Sequence, residues 1–132
     1  MPKKGGFTLV EVLVSIMVFT TAMVSLLQVY LASSTASKRA EYAYTAHNLA
    51  KSHLERLKTL DFSLLPTAAE TSTRINKDGD PDENGDFIRS TAISTAYLGY
   101  SNLTQATVSV YYLLKGKQCP LPMQLTTVIL HQ

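Results

Sequence analysis

The chain has 132 residues, of which 45% are hydrophobic and 17% charged, a composition typical of one folded domain and not of a disordered segment. Its single cysteine excludes an internal disulfide and every zinc site built on several cysteines. The formal charge of +2 is too small to indicate nucleic-acid binding by itself. Apolar residues concentrate near the N-terminus, and that segment carries the strongest functional signal.

Residues 7–31 form an almost uninterrupted apolar segment. Eighteen of these 25 residues are apolar or tyrosine, and Glu11 carries the only charge. A helix of this length measures roughly 37 Å, enough to cross a hydrocarbon core of about 30 Å. Lys3 and Lys4 precede the segment, so the positive-inside rule keeps the N-terminus cytoplasmic. The pattern predicts a single-pass membrane protein.

Two ordinary interpretations compete for this segment. A secretory signal peptide would be cut near the small residues Ala32, Ser34 and Ala36, but its apolar region usually spans only about 7–15 residues. A plain signal anchor would carry Glu11 by accident. A carboxylate near the centre of a membrane helix costs roughly 2.5–3.5 kcal/mol, which makes accidental ones rare.

The residues around Glu11 resemble a known processing signal. The stretch Lys4-Gly5-Gly6-Phe7-Thr8-Leu9-Val10-Glu11 is similar to the class III signal of type IV prepilins and type II secretion pseudopilins. In that family a short basic leader and a glycine precede Phe-Thr-Leu-x-Glu and an apolar helix. The resemblance implies that residues 1–6 are a leader, cut between Gly6 and Phe7 by prepilin peptidase on the cytoplasmic face. It also implies N-methylation of Phe7.

The same resemblance makes Glu11 the carboxylate that serves assembly with other pilins. Loss of the leader removes Lys3 and Lys4, so Lys plus Arg falls from 12 to 10 and equals the ten acids. The new Phe7 amine lies four residues from Glu11, one turn away in a helix. A buried carboxylate needs a partner, which its own amine or that of a neighbouring subunit can supply. The alternative is that Glu11 reaches the lipid headgroups.

The helical pattern continues to about residue 61. Apolar residues recur at helical spacing on one stripe: Ala43, Ala46, Ala50, Leu54, Leu57 and Leu60. Pro66 ends the pattern. We therefore predict one helix over 7–61, whose half 7–31 is apolar all round and forms the filament core, and whose half 32–61 is amphipathic.

Residues 62–132 are predicted to form a small globular β domain. Proline, glycine and polar residues make 66–86 loop-like, whereas 87–93 favours a short strand. Residues 106–114 and 125–131 alternate between apolar and polar side chains, as strands with one buried face do. About three antiparallel strands packed on the amphipathic half-helix give an α+β fold. The resemblance implies the type IV pilin-like version of that class.

Two stretches resemble PilV-type minor pilins more specifically. The last strand contains Leu125-Thr126-Thr127, and residues 46–57 are similar to the exit of the helix in those proteins. The I-type pseudopilin of type II secretion has a similar size and similar opening residues, and it stays an alternative.

Residues 76–86 form an acidic loop that holds five of the ten acids. The run Asp80-x-Asp82-x-Asn84-Gly85 matches the first half of an EF-hand-type calcium loop. Position 12 of that pattern is Thr91 and not glutamate, so other ligands must contribute. The candidate calcium ligands are Asp78, Asp80, Asp82, Asn84 and Asp86. The alternative is a solvated, Asx-rich turn.

No catalytic constellation appears in the sequence. His47 and His53 are six residues apart and are expected to face solvent, while His131 is expected to be structural. Cys119 is a lone thiol for packing or for pairing between subunits. The tyrosines Tyr97, Tyr100, Tyr111 and Tyr112 are expected to pack in the fold, with a DNA or surface contact as the alternative. We therefore predict that the protein is not an enzyme.

The resulting hypothesis is a minor type IV pilin or pseudopilin that sits in the bacterial inner membrane and then enters a cell-surface pilus or a periplasmic pseudopilus. A second hypothesis is a membrane-anchored binding module of the envelope that enters no filament. A secreted hydrolase is poorly supported, since the predicted core is small and hydrolase motifs are missing.

Overall fold

The computed structural model describes residues 5–130. The first four residues of the predicted leader and His131, the predicted end of the last strand, lie outside that range. The chain divides into two compact units, of which the first ends at Lys38 and the second begins at Arg39. A single helix, α1 (Leu9–Lys58), contributes to both units.

Helix α1 confirms the predicted long helix to within about three residues at each end. No glycine or proline interrupts its 50 residues. Arg56 and Lys58 lie in its last turn, where positive charges favour the helix dipole. Thr59 and Leu60 close the end with short-range turn bonds to the carbonyls of Arg56 and Leu57. A 3₁₀ segment, Phe62–Ala68, follows.

The second unit contains an antiparallel sheet of five strands. They are β1 (Glu70–Ile75), β2 (Phe87–Thr95), β3 (Leu103–Leu114), β4 (Lys117–Gln118) and β5 (Met123–Leu130). The pairing order is β1-β2-β3-β4, and β5 pairs with β3 beside β4. A 3₁₀ turn, Tyr97–Gly99, connects β2 to β3. The α+β class is confirmed, and the sheet has more strands than the three predicted.

The additional strand β1 lies where the sequence predicted a loop, and β4 lies between the two predicted strands 106–114 and 125–131. β1 falls within 66–86, and its residues Glu-Thr-Ser-Thr-Arg-Ile show no apolar alternation, since only Ile75 is buried. Its pairing with β2 is interrupted between Glu70 and Thr73, where Ser72 adopts a positive φ of 51°. Such an irregular polar edge strand is held by its partner strand and carries no local signal of its own. β4 has only two residues.

The core of the second unit lies between α1 and one face of the sheet. Four of the six residues on the predicted helical stripe are buried, namely Ala46, Ala50, Leu54 and Leu57, and Ala43 packs against them. Leu60 is 41% exposed because it lies beyond the helix end, and Leu49, which is off the predicted stripe, is buried. The sheet contributes Ile75, Phe87, Ala106, Val108, Val110 and Tyr112. The alternation of β3 is as predicted.

Candidate processing and assembly site

The predicted cleavage point lies just before α1. Residues 5–8 are exposed and adopt no regular secondary structure, and the helix begins at Leu9. The N–H of Val12 donates to the carbonyl oxygen of Thr8 at 3.2 Å, which closes the first helical turn. The N–H of Glu11 donates to Thr8 Oγ1 at 3.3 Å. Thr8 is therefore the N-cap residue of α1, and Glu11 is the third residue of the helix.

The two glycines of the predicted leader are not required by the fold. A Cβ atom built on Gly5 or on Gly6 would meet nothing within 4 Å. Phe7, on the other side of the predicted cleavage point, is 80% exposed. The peptide bond between Gly6 and Phe7 is therefore accessible in this unit, and any need for glycine there must come from the enzyme that cuts it.

No residue of 7–31 is buried in this chain. Every large apolar side chain from Phe7 to Leu31 is exposed. The most apolar 18-residue window has a mean hydropathy of 2.2, so the helix is long and apolar enough to cross a membrane. An exposed apolar surface of this length must be covered by lipid or by other apolar helices.

The serine and threonine hydroxyl groups of residues 15–25 donate hydrogen bonds within the helix. Ser15 donates to the carbonyl oxygen of Glu11 at 2.7 Å, Thr21 to that of Met17 at 2.6 Å, and Ser25 to that of Thr21 at 2.8 Å. A hydroxyl bonded to the preceding turn needs no water. Glu11 is the only charged residue of 7–31, and its carboxylate still requires a partner.

The carboxylate of Glu11 is exposed and forms no ion pair with any of residues 5–130. The salt bridge found among these residues joins Arg89 and Glu70. In the uncleaved chain Phe7 lies before the first helical residue, so the one-turn spacing predicted for the cleaved chain stays a prediction. The assignments of Gly6, Phe7 and Glu11 stay predictions.

The acidic loop forms Asx turns. Asn76 Oδ1 accepts bonds from the N–H groups of Asp78 at 2.9 Å and Asp80 at 3.0 Å, and Asp82 Oδ1 accepts one from Asn84 at 2.9 Å. Asp86 accepts a 3.4 Å bond from the hydroxyl of Tyr42. The negative charge of Asp86 is the main reason that the pKa of Tyr42 is raised.

The arrangement of these side chains bears on whether the acidic loop can bind calcium. Across residues 5–130, no group of three or more Asp, Glu, His or Cys side chains is arranged to hold a metal ion. Calcium prefers 6–8 oxygen ligands, and among the candidate ligands Oδ1 of Asp82 already accepts a backbone N–H group. The residues do not fit a calcium site in this geometry, so the calcium hypothesis stays a prediction without structural support.

A buried polar cluster between α1 and the sheet was missed at the sequence level. Arg89 is buried on β2, and its Nε and Nη2 donate to Oε2 and Oε1 of Glu70 at 2.9 and 3.2 Å. Its Nη1 donates to the carbonyl oxygen of Gly79 at 3.2 Å. Arg89 alternates with the buried Phe87 and Thr91, and that period of two was the available signal.

His53 also belongs to this cluster, so the prediction that it faces solvent is wrong. Its Nε2 lies 3.2 Å from Thr91 Oγ1, and its Nδ1 is buried without a partner among the residues that the structure describes. Burial lowers the pKa of His53 to about 4, and the positive charge of Arg89 contributes. His47 is exposed, as predicted. The cluster links the helix to the sheet and suits a structural role.

Comparison with known proteins identifies only the N-terminal part of the chain. Residues 1–27 match the family model of the prokaryotic N-terminal methylation motif. No curated protein and no solved structure matches the chain. The match supports a type IV pilin-like or pseudopilin substrate of prepilin peptidase that assembles with other pilins. Together with the apolar helix, it fits a membrane-anchored, single-pass protein.

Proposed function

We propose that this protein is a PilV-like minor pilin. Prepilin peptidase removes its leader between Gly6 and Phe7, and the new Phe7 amine is methylated. The mature chain is held in the inner membrane with its N-terminus towards the cytoplasm. It then takes part in the assembly or tip function of a type IV pilus. Its work is assembly and interaction, and it catalyses no reaction of its own.

One observation carries this proposal. The N-terminal methylation motif is followed directly by a helical surface that is apolar, exposed and charged only at Glu11. Lipid covers such a surface before assembly, and equivalent helices of other subunits cover it afterwards. A lone carboxylate on this surface favours the state in which a positive group pairs with it. The Phe7 amine created by cleavage is the positive group that appears nearest to it.

The second unit supports an interaction role. Its core is filled by aliphatic and aromatic side chains, and its buried cation, Arg89, is paired with Glu70. The histidine beside this pair, His53, contacts Thr91 and is held neutral by burial. These groups stabilise the contact between helix and sheet. Such a structural role suits a domain whose proposed task is binding.

The I-type pseudopilin of a type II secretion system is the nearest alternative, since it uses the same signal. A membrane-anchored envelope module that enters no filament is a second one. Fractionation separates the three. A pilin is recovered with pili sheared from the cell surface, a pseudopilin stays with the envelope and is needed for secretion, and an envelope module is found in neither assembly.

The first experiment is mass spectrometry of the mature N-terminus, in cells with and without active prepilin peptidase. We expect peptidase-dependent loss of Met1–Gly6 and one methyl group on Phe7. A leader that stays intact in both strains would favour the envelope module. A cut near Ala36 would indicate ordinary secretion.

The two glycines provide a matched control for this experiment. Both Gly6→Ala and Gly5→Ala place a methyl group in open space, so neither should disturb the fold. We expect Gly6→Ala to block leader removal and Gly5→Ala to leave it largely intact, because the resemblance places only Gly6 at the cut. Equal effects of the two substitutions would contradict the assigned cleavage point.

A further inference from the structure

Thr8 connects the predicted cleavage point to the first turn of α1. Its hydroxyl oxygen accepts the N–H of Glu11 at 3.3 Å, and its carbonyl oxygen accepts that of Val12 at 3.2 Å. A threonine followed three residues later by a glutamate has the spacing of a capping box. The residue at the N-cap is itself non-helical, so the cap places the helix start at Leu9.

The cap decides how far the cleavage point lies from the helix. The bond between Gly6 and Phe7 lies just upstream of the capping residue, within the exposed, irregular segment 5–8. A peptide bond drawn into the start of a helix has its C=O group committed to an intrahelical bond and is shielded by neighbouring side chains. A bond in an irregular exposed segment has its C=O group free for an enzyme.

Gly5 and Gly6 disfavour helix, but Phe7 and the residue at position 8 do not have to stop one. Without a hydroxyl at position 8, the N–H of Glu11 loses its acceptor. The helix can then extend to Phe7 with Gly6 at the N-cap, a position that glycine also favours, and the Gly6–Phe7 bond then lies at the helix start.

We propose that Thr8 is a positioning residue for leader removal, whose hydroxyl caps α1 and keeps the Gly6–Phe7 bond outside the helix. This inference rests on the proposed function, because it assumes that prepilin peptidase cuts this bond. Thr8 acts through the backbone of Glu11 and takes no part in the chemistry of cleavage.

The test compares substitutions that separate capping from side-chain shape. Ser and Asn cap helices at least as well as Thr, whereas Val has the shape of Thr without its hydroxyl, and Ala has neither. We expect Thr8→Ser and Thr8→Asn to keep the wild-type rate of cleavage. Thr8→Val and Thr8→Ala should be slower by about fivefold, the equilibrium factor of a typical N-cap.

The rate is the initial loss of the leader from the full-length precursor in membrane vesicles with added prepilin peptidase, followed by mass spectrometry. Thr20→Val is the matched control. The Thr20 hydroxyl bonds to the carbonyl oxygen of Met17 at 3.0 Å within the same helix, away from its start. We expect this control to be cut at the wild-type rate.

Hydrogen exchange of the precursor provides a second readout. If loss of the cap lets the helix extend to Phe7, the Val10 amide gains the Gly6 carbonyl as an acceptor, so its exchange should be slower in Thr8→Val and unchanged in Thr8→Ser. A residue that the peptidase merely reads by its shape would not alter this exchange.

The inference is overturned if Thr8→Val is cut as fast as wild type, or if Thr8→Asn is cut more slowly than Thr8→Val. Either result means that the capping hydroxyl does not set the rate of cleavage. If the wild-type precursor is not cut at all, the proposed function fails and this inference fails with it. If wild type is cut and the series is flat, only the role of Thr8 is refuted.

Discussion

Arg89 on β2 and Glu70 on β1 form a two-point ion pair, with Nε to Oε2 at 2.9 Å and Nη2 to Oε1 at 3.2 Å. The two side chains differ in exposure, at 7% for Arg89 and 32% for Glu70. The pair therefore joins a buried cation to an anion that water can still reach.

This difference predicts unequal effects of breaking the pair. Glu70→Leu leaves a buried guanidinium with only the Gly79 carbonyl, and should lower the free energy of unfolding by roughly 2–3 kcal/mol. Arg89→Met leaves Glu70 free to rehydrate and should cost about 1 kcal/mol. The measurement is chemical denaturation of the chain in detergent, followed by near-ultraviolet circular dichroism of tyrosine. Equal losses would show that the pair is not buried as described.

His53 should make stability depend on pH. Its pKa is about 4 in the folded chain and 6.5 in the reference state, so the unfolded chain takes up the proton first as the pH falls. Its effect is therefore absent above about pH 6.5, and stability declines from there towards pH 4. Thermal unfolding across this range should show a weaker pH dependence for His53→Gln. The exposed His47→Gln is the control and should follow wild type. A His53→Gln profile that also follows wild type would exclude His53 as the source.

Gly85 should tolerate no side chain. A Cβ atom there would collide with the backbone carbonyl of Ile75 and lie 3.0 Å from the N atom of Asn76. Because backbone must move, Gly85→Ala should lower the free energy of unfolding by about 1–3 kcal/mol. Gly116→Asn is the control, since that position is open and Asn tolerates its positive φ of 75°. The measurement is the denaturation midpoint of each variant, which we expect to fall for Gly85→Ala and to stay close to wild type for Gly116→Asn. Equal midpoints would show that the acidic loop rearranges to accept a side chain at Gly85.

Calcium should leave the stability of the chain unchanged. No three acidic side chains of residues 76–86 are arranged to hold a metal ion, and Oδ1 of Asp82 already accepts a backbone N–H group. A ligand that binds only the folded state raises the unfolding midpoint in proportion to the logarithm of its concentration. We expect the same midpoint with calcium and with a chelator. A saturable rise with calcium would restore the calcium-loop hypothesis and require the loop to rearrange around the ion.

Glu11→Ala should separate processing from assembly. The substitution leaves Gly6, Phe7 and the Thr8 cap in place, so leader removal should continue. Recovery of the chain in sheared filaments should fall at least about tenfold, because a paired buried charge is worth more than the ~1.4 kcal/mol that this factor represents. Ser15→Ala is the control, one turn further along the same helix. Normal incorporation of the Glu11 variant would contradict the role assigned to Glu11.

The sequence by itself determined the features that depend on local order along the chain. The long helix follows from the absence of Gly and Pro over 9–58 and from apolar spacing, and β3 follows from its strict alternation. The methylation motif is linear, so its eight residues are readable without a fold. Hydrogen bonds within a helix and side chains along one strand involve near neighbours, which is why such patterns predict them.

Only the tertiary structure decided the features that depend on partners distant in sequence. β1 is polar and irregular, and its pairing with β2 makes it a strand. Arg89 and Glu70 are 19 residues apart, and His53 and Thr91 are 38 apart. In the acidic loop, Asn76 Oδ1 and Asp82 Oδ1 accept backbone N–H groups of the folded turns, although the spacing of the acids resembles a calcium loop. Burial and pairing of polar groups arise when separate segments pack together, so no local pattern predicts them.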